Sequence, residues 1–380
     1  MKNPRILILG GYGNTGRALA PLLLQETDVT LVLAGRNSLK AESTAAELNA
    51  RFDSQRVSSV YADASKPDSL KPALKNIDLL LVVSSTSQFS GQVAAAALEA
   101  GADYYDVLYS THKTEVLKSL AREIESAGRC FITEGGFHPG LPAAMIRYAV
   151  PQFDRLRSAN VGSVIKVDWS SLDASQSTME ELVSEFMNFQ NLSYQDGEWR
   201  PAGMLSWIIP KWMDFGREFG KQYCIPMFLE EMRPIPGLYP DLEETGFFVG
   251  GFNWFVDWIV SPLVMVMTRL SPQRGLRMGA SLMRWGLDKF SKSPYGTLLK
   301  LEARGTQGGE QKSLDVMIYH QDGYMITAIP VAACLLQYLD GSIREPGLCF
   351  QALIVEPERF MSDMERMGVD IQVQSHPVIS

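Results

Sequence analysis

With 380 residues, 46% hydrophobic and 21% charged, the chain exceeds one ordinary core and is too apolar for a disordered or coiled-coil protein. A formal charge of −8 offers no basic field for nucleic acid, and four dispersed cysteines make neither a zinc ribbon nor a disulfide framework. The expected setting is reducing and cytoplasmic, because no signal-peptide pattern opens the sequence and no metal-ligand cluster is spelled out.

Arg5–Gly10 is a short apolar run of strand character, and Asn14–Gln25 follows with helical spacing at Ala18, Leu19, Leu22 and Leu23. Pro21 falls inside that helix, where it removes a hydrogen bond and is expected to kink it. Strand-like runs recur at Val29–Ala34, Arg56–Tyr61, Leu79–Val83, Tyr104–Val107 and Cys130–Thr133. Helical stretches lie between them at Leu39–Ala50, Pro67–Lys75, Gln88–Ala100 and Thr114–Ala127. Parallel crossovers need such helices, so the fold class is α/β, a doubly wound parallel sheet over residues 1–142.

The first strand-to-helix turn, Gly10-Gly11-Tyr12-Gly13-Asn14-Thr15-Gly16, contains GxGxxG at Gly11, Gly13 and Gly16. In a dinucleotide-binding turn the first glycine permits the bend and the second admits a pyrophosphate. The third packs the helix closely on the strand, whose partner helix offers its N-terminus to the phosphate. After the second strand, where Asp or Glu holds a ribose 2′-hydroxyl, the sequence has Gly35-Arg36-Asn37-Ser38. Arg36, with Ser38 and Lys40 nearby, suits a 2′-phosphate, so NADP(H) is expected over NAD(H). Asp63 has two open readings, a partner for the adenine amino group or a cap for the helix near Lys66. Ser84 and Ser85, after the fourth strand, complete the expected cofactor set.

Downstream the composition changes. Residues 1–150 hold 15 bases and 15 acids, residues 180–250 hold 5 and 12, and residues 251–300 hold 7 and 2. Six of the seven tryptophans fall between Trp199 and Trp285, which marks a second region under different constraints. The expected division is a second α+β domain over 143–345, serving substrate and dimer contacts, with an apolar helical insert near 201–295. Residues 346–380, a helix and a strand, then pack back on the first domain. Phe247–Thr268 has 22 residues and one charge, Asp257, long enough to span a bilayer but interrupted by Asn253 and Pro262. The readings open for it are a buried core helix, a pocket lining, or a membrane-surface element continued by the basic residues up to Lys292.

Three segments resemble a known family: Leu33-Ala34-Gly35-Arg36, Leu98-Glu99-Ala100-Gly101-Ala102-Asp103-Tyr104-Tyr105-Asp106, and Glu134-Gly135-Gly136-Phe137-His138-Pro139-Gly140-Leu141-Pro142. Over residues 5–150 the chain is similar to the saccharopine dehydrogenase-like proteins. His138 departs from the family pattern, which has an acid at that place. The resemblance implies a Rossmann domain, a second α+β domain and pyridine-nucleotide chemistry on a small-molecule substrate, without naming the substrate.

Hydride transfer to a carbonyl or imine also needs a proton donor near the carboxyl ends of the strands. His138, Tyr109 and Asp106 are the candidates, and Tyr109 with Lys113 spells the YxxxK pair of short-chain dehydrogenases. Two functions follow: an NADP(H)-dependent oxidoreductase acting on a C=N, C=O or C=C bond, or a non-catalytic NADP sensor with NmrA-like behaviour.

Overall fold

The computed structural model describes residues 3–169, 176, 179–180, 183–184, 190–201 and 211–377. It divides into two compact units, Met1–Ala144 with Tyr324–Val369, and Met145–Gly323 with Asp370–Ser380.

The first unit alternates β1 (Arg5–Leu9), α1 (Asn14–Glu26), β2 (Thr30–Gly35), α2 (Ser38–Arg51), β3 (Val57–Tyr61), α3 (Pro67–Ala73) and β4 (Leu79–Val82). It continues with α4 (Ser90–Ala100), β5 (Asp103–Asp106), α5 (Thr111–Ser119), α6 (Ala121–Ser126) and β6 (Cys130–Thr133). Its sheet is parallel throughout, in the order β6-β5-β4-β1-β2-β3, with Gly347–Phe350 added as a seventh strand outside β6. Both faces are covered, which is why these strands read as continuous apolar runs. Leu7, Leu9, Val32, Leu80, Val82, Tyr104 and Phe131 enter one buried cluster, while Ile6, Ile8, Leu31 and Leu33 are buried as well. Pro21 does not interrupt α1, which runs unbroken from Asn14 to Glu26.

The second unit is built on a mixed sheet ordered Lys211–Asp214, Lys221–Pro226, Glu244–Gly250, Arg155–Lys166, Gly296–Gln307, Glu310–His320 and Asp370–Pro377. The hairpin Leu192–Gln195/Glu198–Pro201 adds to Glu244–Gly250. Neighbours run antiparallel except Glu244–Gly250 against Arg155–Lys166. That pair makes the sheet mixed.

Three expectations change here. The chain returns to the first unit at Tyr324 and not at 346, because the helix Met325–Asp340 is apolar all round and needs cover on every side. Its Ala328, Ile329, Val331, Ala332, Cys334 and Leu335 are fully buried. Tyr338 Oη at its end donates to Asp103 Oδ2 at 2.6 Å, and Arg344 Nε donates to the same oxygen at 2.8 Å. Second, Asp370–Pro377 belongs to the second unit, where it pairs along Glu310–His320. Third, the segment near 201–295 is not a helical insert. It contains the strands Lys211–Asp214, Lys221–Pro226 and Glu244–Gly250, and only its later part is a helical pair, Ser261–Leu270 and Pro272–Phe290. Its residues 202–210 lie outside the described residues. Phe247–Thr268 accordingly starts as a strand, and among the described residues no helix is long and apolar enough to cross a membrane.

Candidate nucleotide and active site

The ends of β1, β2 and β4 meet at the glycine turn. Gly10, with φ +93°, makes the left-handed bend that the sequence assigns to Gly11; its N–H donates to Ala34 O at 2.8 Å and its Cα lies against Ser84. Gly16 opens α1 at the closest approach of helix to strand. A Cβ there would lie 2.6 Å from Gly10 O, Gly11 Cα and Gly11 O. No side chain caps the α1 N-terminus at Gly13, and Gly13 and Asn14 are exposed. Free amides and the helix dipole thus face the place a pyrophosphate needs. Asn14 Nδ2 donates to Tyr324 Oη at 2.8 Å, and Thr15 is half-buried beside it.

Tyr12 joins the glycine turn to the loop after β2. Its ring packs on Gly35, and its hydroxyl accepts from Asn37 N at 3.0 Å. Asn37 in turn caps α2, accepting from Lys40 N at 3.0 Å, with Ser38 as the first helical residue. Arg36 projects from this fixed loop into solvent. A guanidinium on a preorganised loop, with no carboxylate taking the ribose place, fits a 2′-phosphate. Asp63, after β3, accepts from Ser65 N at 3.0 Å and Ser65 Oγ at 2.7 Å. The Ser65 hydroxyl is the main reason its carboxyl lies below the usual range, with Lys66 and Arg36 adding to it. Of the two readings open for Asp63, the helix cap is not made: its carboxylate closes a turn before the helix, and α3 starts without a side-chain cap. Ser84 is half-buried, its Oγ 3.2 Å from Thr86 Oγ1, and Ser85 is exposed at the mouth of the β4 loop.

At β5 and β6 the structure is tighter than the sequence suggests. Asp106 and Lys113 are fully buried and paired at 2.7 Å. Lys113 Nζ also donates to Thr133 Oγ1 at 2.8 Å and Leu108 O at 2.5 Å, which accounts for all three ammonium hydrogens. None remains for the Tyr109 hydroxyl, so the YxxxK reading is corrected: Lys113 anchors strands and does not tune a tyrosine. Asp106 is corrected with it. Its Oδ1 receives Lys113 and Leu108 N, its Oδ2 receives Thr133 Oγ1, and no surface is left for a substrate. Asp106 is a positioning residue for the start of α5 and the loop at 107–110 before it, in which Tyr109 is half-buried.

The loop after β6 begins at Glu134, which is buried at φ +56° and accepts from Thr114 Oγ1 at 2.9 Å. A side chain larger than glycine in that region is strained and persists where its surroundings hold it. Gln351 does much of the holding. Its amide donates to Gly136 O and Gly140 O, both at 3.1 Å, and its oxygen accepts from Gly136 N and the Tyr105 hydroxyl. Gln351 and Thr133 belong to the site's framework and were not legible as such, because their partners are remote in sequence. His138 stacks on Phe137 in this loop, with ring centroids 4.0 Å apart. Burial pushes its pKa from the usual 6.5 down to about 3. The sign is set by the unfolded chain, which takes up a proton below 6.5 while the folded protein does not. Stability contributed by neutral His138 is complete above 6.5 and is lost as pH falls towards 3, by about 1.4 kcal/mol per pH unit. Urea unfolding of the protein and of His138→Gln across this range should show the slope in the first and a flatter profile in the second.

Comparison with known proteins agrees with the fold. Residues 6–132 match the family described as saccharopine dehydrogenase NADP binding domain. No curated protein matches the sequence. Among solved structures, apo saccharopine dehydrogenase (L-Glu forming) from Saccharomyces cerevisiae is similar in fold at TM-score 0.70 and 14% identity, over 98% of this chain and all of that one. A myo-inositol dehydrogenase from Corynebacterium glutamicum aligns at TM-score 0.48 and 12% identity, over 100% of this chain and 99% of that one. The cofactor expected from Arg36, NADP(H), is the one this domain family takes. Over residues 6–132 the chain is thus similar to the saccharopine dehydrogenase NADP binding domain.

Proposed function

We propose that the chain is an NADP(H)-dependent oxidoreductase that moves hydride to or from a C=N or C=O bond, or an activated C=C bond, of a small organic substrate. The observation that carries this reading is the uncapped glycine turn at the α1 N-terminus, locked through Tyr12 to the loop that presents Arg36. When bound, the nicotinamide supplies the hydride; the chain's own residues hold and orient it. Gly13, Asn14 and Thr15 receive the pyrophosphate, Arg36 and Ser38 the 2′-phosphate, Asp63 the adenine edge, and Ser84 and Ser85 the inner end of the cofactor. Asp106 and Lys113 are buried in their own pair, and we assign the substrate side to His138 and Tyr109. A neutral imidazole donates a hydrogen bond to a carbonyl oxygen without losing a proton, so His138 acts here as a polarising donor.

Titration with NADPH and NADH tests the reading. Arg36→Ala is expected to weaken NADPH by roughly 10–100-fold and to leave NADH unchanged, as for a lost charge-assisted phosphate pair. Equal weakening of both would remove the 2′-phosphate assignment. Oxidation of NADPH over a panel of imines, aldehydes and enoyl thioesters then names the bond. One observation favours a second reading, an NADP sensor: the ion pair Asp106–Lys113 is sealed from any substrate. Tight NADPH binding without turnover on the whole panel would support that reading.

A further inference from the structure

The second unit carries an apolar surface that the nucleotide reading leaves unused. From Trp254 to Leu270 the chain is helical, first as a π turn over Val256–Val260 and then as Ser261–Leu270. One stripe of it, Val256, Val260 and Val264, is buried against Ala280, Met283 and Leu287. The opposite stripe is as apolar and faces outward: Trp254, Trp258, Ile259, Leu263, Val266 and Leu270 are 44–82% exposed. A solvated helix face normally carries charges in these places.

The exposed tryptophans form a belt. Trp254 and Trp285 both pack edge-on against Phe255 and Phe290, while Trp258 lies 5.4 Å from Tyr223, which meets Trp212 at 6.2 Å. All four are more than half exposed. Indole rings combine an apolar body with one N–H donor, the chemistry of a membrane–water boundary. Trp212, Trp254 and Trp258 also wall a cavity of about 410 Å³ within this unit, together with Lys166, Lys221 and Lys292. The helical pair is basic in a chain of charge −8: Arg269, Arg274, Arg277 and Lys289 are exposed along it, and Lys292 just after it.

From this we infer that the face formed by Trp254–Leu270 and the tryptophan belt docks on an anionic lipid bilayer, with Ile259, Leu263, Val266 and Leu270 entering the acyl boundary. The tryptophans lie at headgroup level and the arginines meet lipid phosphates. The inference does not rest on the nucleotide site, and NADPH binding serves as the check that every variant is folded.

Sedimentation of the full chain with vesicles tests it. The protein is expected to pellet with phosphatidylcholine vesicles containing a third phosphatidylglycerol, and to stay in solution with phosphatidylcholine alone. Tryptophan emission should shift to the blue on binding. Leu263→Ser with Leu270→Ser, both at exposed positions, should lower the bound fraction at least tenfold. Arg274→Gln with Arg277→Gln should weaken binding about thirtyfold, near the value of two lost basic side chains at an anionic surface. Protein that remains in the supernatant with anionic vesicles while binding NADPH overturns the proposal. So does a dimer, seen by sedimentation equilibrium, that the paired leucine variant dissociates, since a second copy would then cover this face.

Discussion

Gly16→Ala is expected to remove NADPH binding, with affinity falling by a factor of about 100 or more. The added methyl would lie 2.6 Å from two backbone oxygens and one Cα of the glycine turn. No side chain can swing aside there, so either α1 withdraws from β1 or the turn opens. Both outcomes displace the uncapped amides of the α1 N-terminus from the place proposed for the phosphate, whereas the sheet behind them is fixed by β2 and β4 on either side of β1. The measurement is NADPH titration by fluorescence alongside far-ultraviolet circular dichroism. A variant that keeps its secondary structure and binds NADPH normally would mean that the turn does not hold the pyrophosphate.

Lys113→Met should destabilise the first unit severely, costing about 3–5 kcal/mol in urea unfolding. The substitution leaves Asp106 fully buried without its cation, while Thr133 Oγ1 and Leu108 O lose a donor at the same time. Asp106→Leu alone strands the ammonium and is expected to cost as much. Combining the two removes both charges, so the double variant should be more stable than either single one. The order matters more than the sizes. A double variant whose loss equals the sum of the single losses would mean that the two side chains act independently, against the 2.7 Å contact. Because the pair is shielded from solvent, added salt should change none of these values much.

The first sheet was legible in the sequence because parallel strands covered on both faces need unbroken apolar runs, and Ile6–Leu9, Leu31–Ala34 and Leu79–Val82 supply them. The bend itself was legible for a different reason: a strand that turns sharply into a helix needs glycine there, and Gly10 takes φ +93° while Gly16 leaves no room for a Cβ. Local spacing misled at Tyr109 and Lys113, where four residues of separation suggest a catalytic pair. The lysine turns instead to Asp106 and Thr133, 7 and 20 residues away. Gln351 carried no signal at all, since its partners Gly136 and Gly140 lie more than 200 residues earlier. In the second unit, Phe247–Thr268 has only one charge along its length but is a strand end followed by a helix. The helix is apolar on its exposed face as well as its buried one, so its hydropathy does not differ from the strand's, and the break falls at Gly250-Gly251.

The division of the first unit between two stretches of sequence has a consequence for the order in which the protein is made. When residues 1–144 leave the ribosome, Asp103 lacks Tyr338 and Arg344, the loop at Gly136 lacks Gln351, and β6 is an open edge. All of residues 145–323 must be synthesised before the missing helix and strand arrive. The second unit waits too, because its edge strand Asp370–Pro377 emerges later still. Neither unit completes its sheet before the other's sequence is nearly finished, so the nascent chain spends most of its synthesis with a bare parallel edge in need of protection.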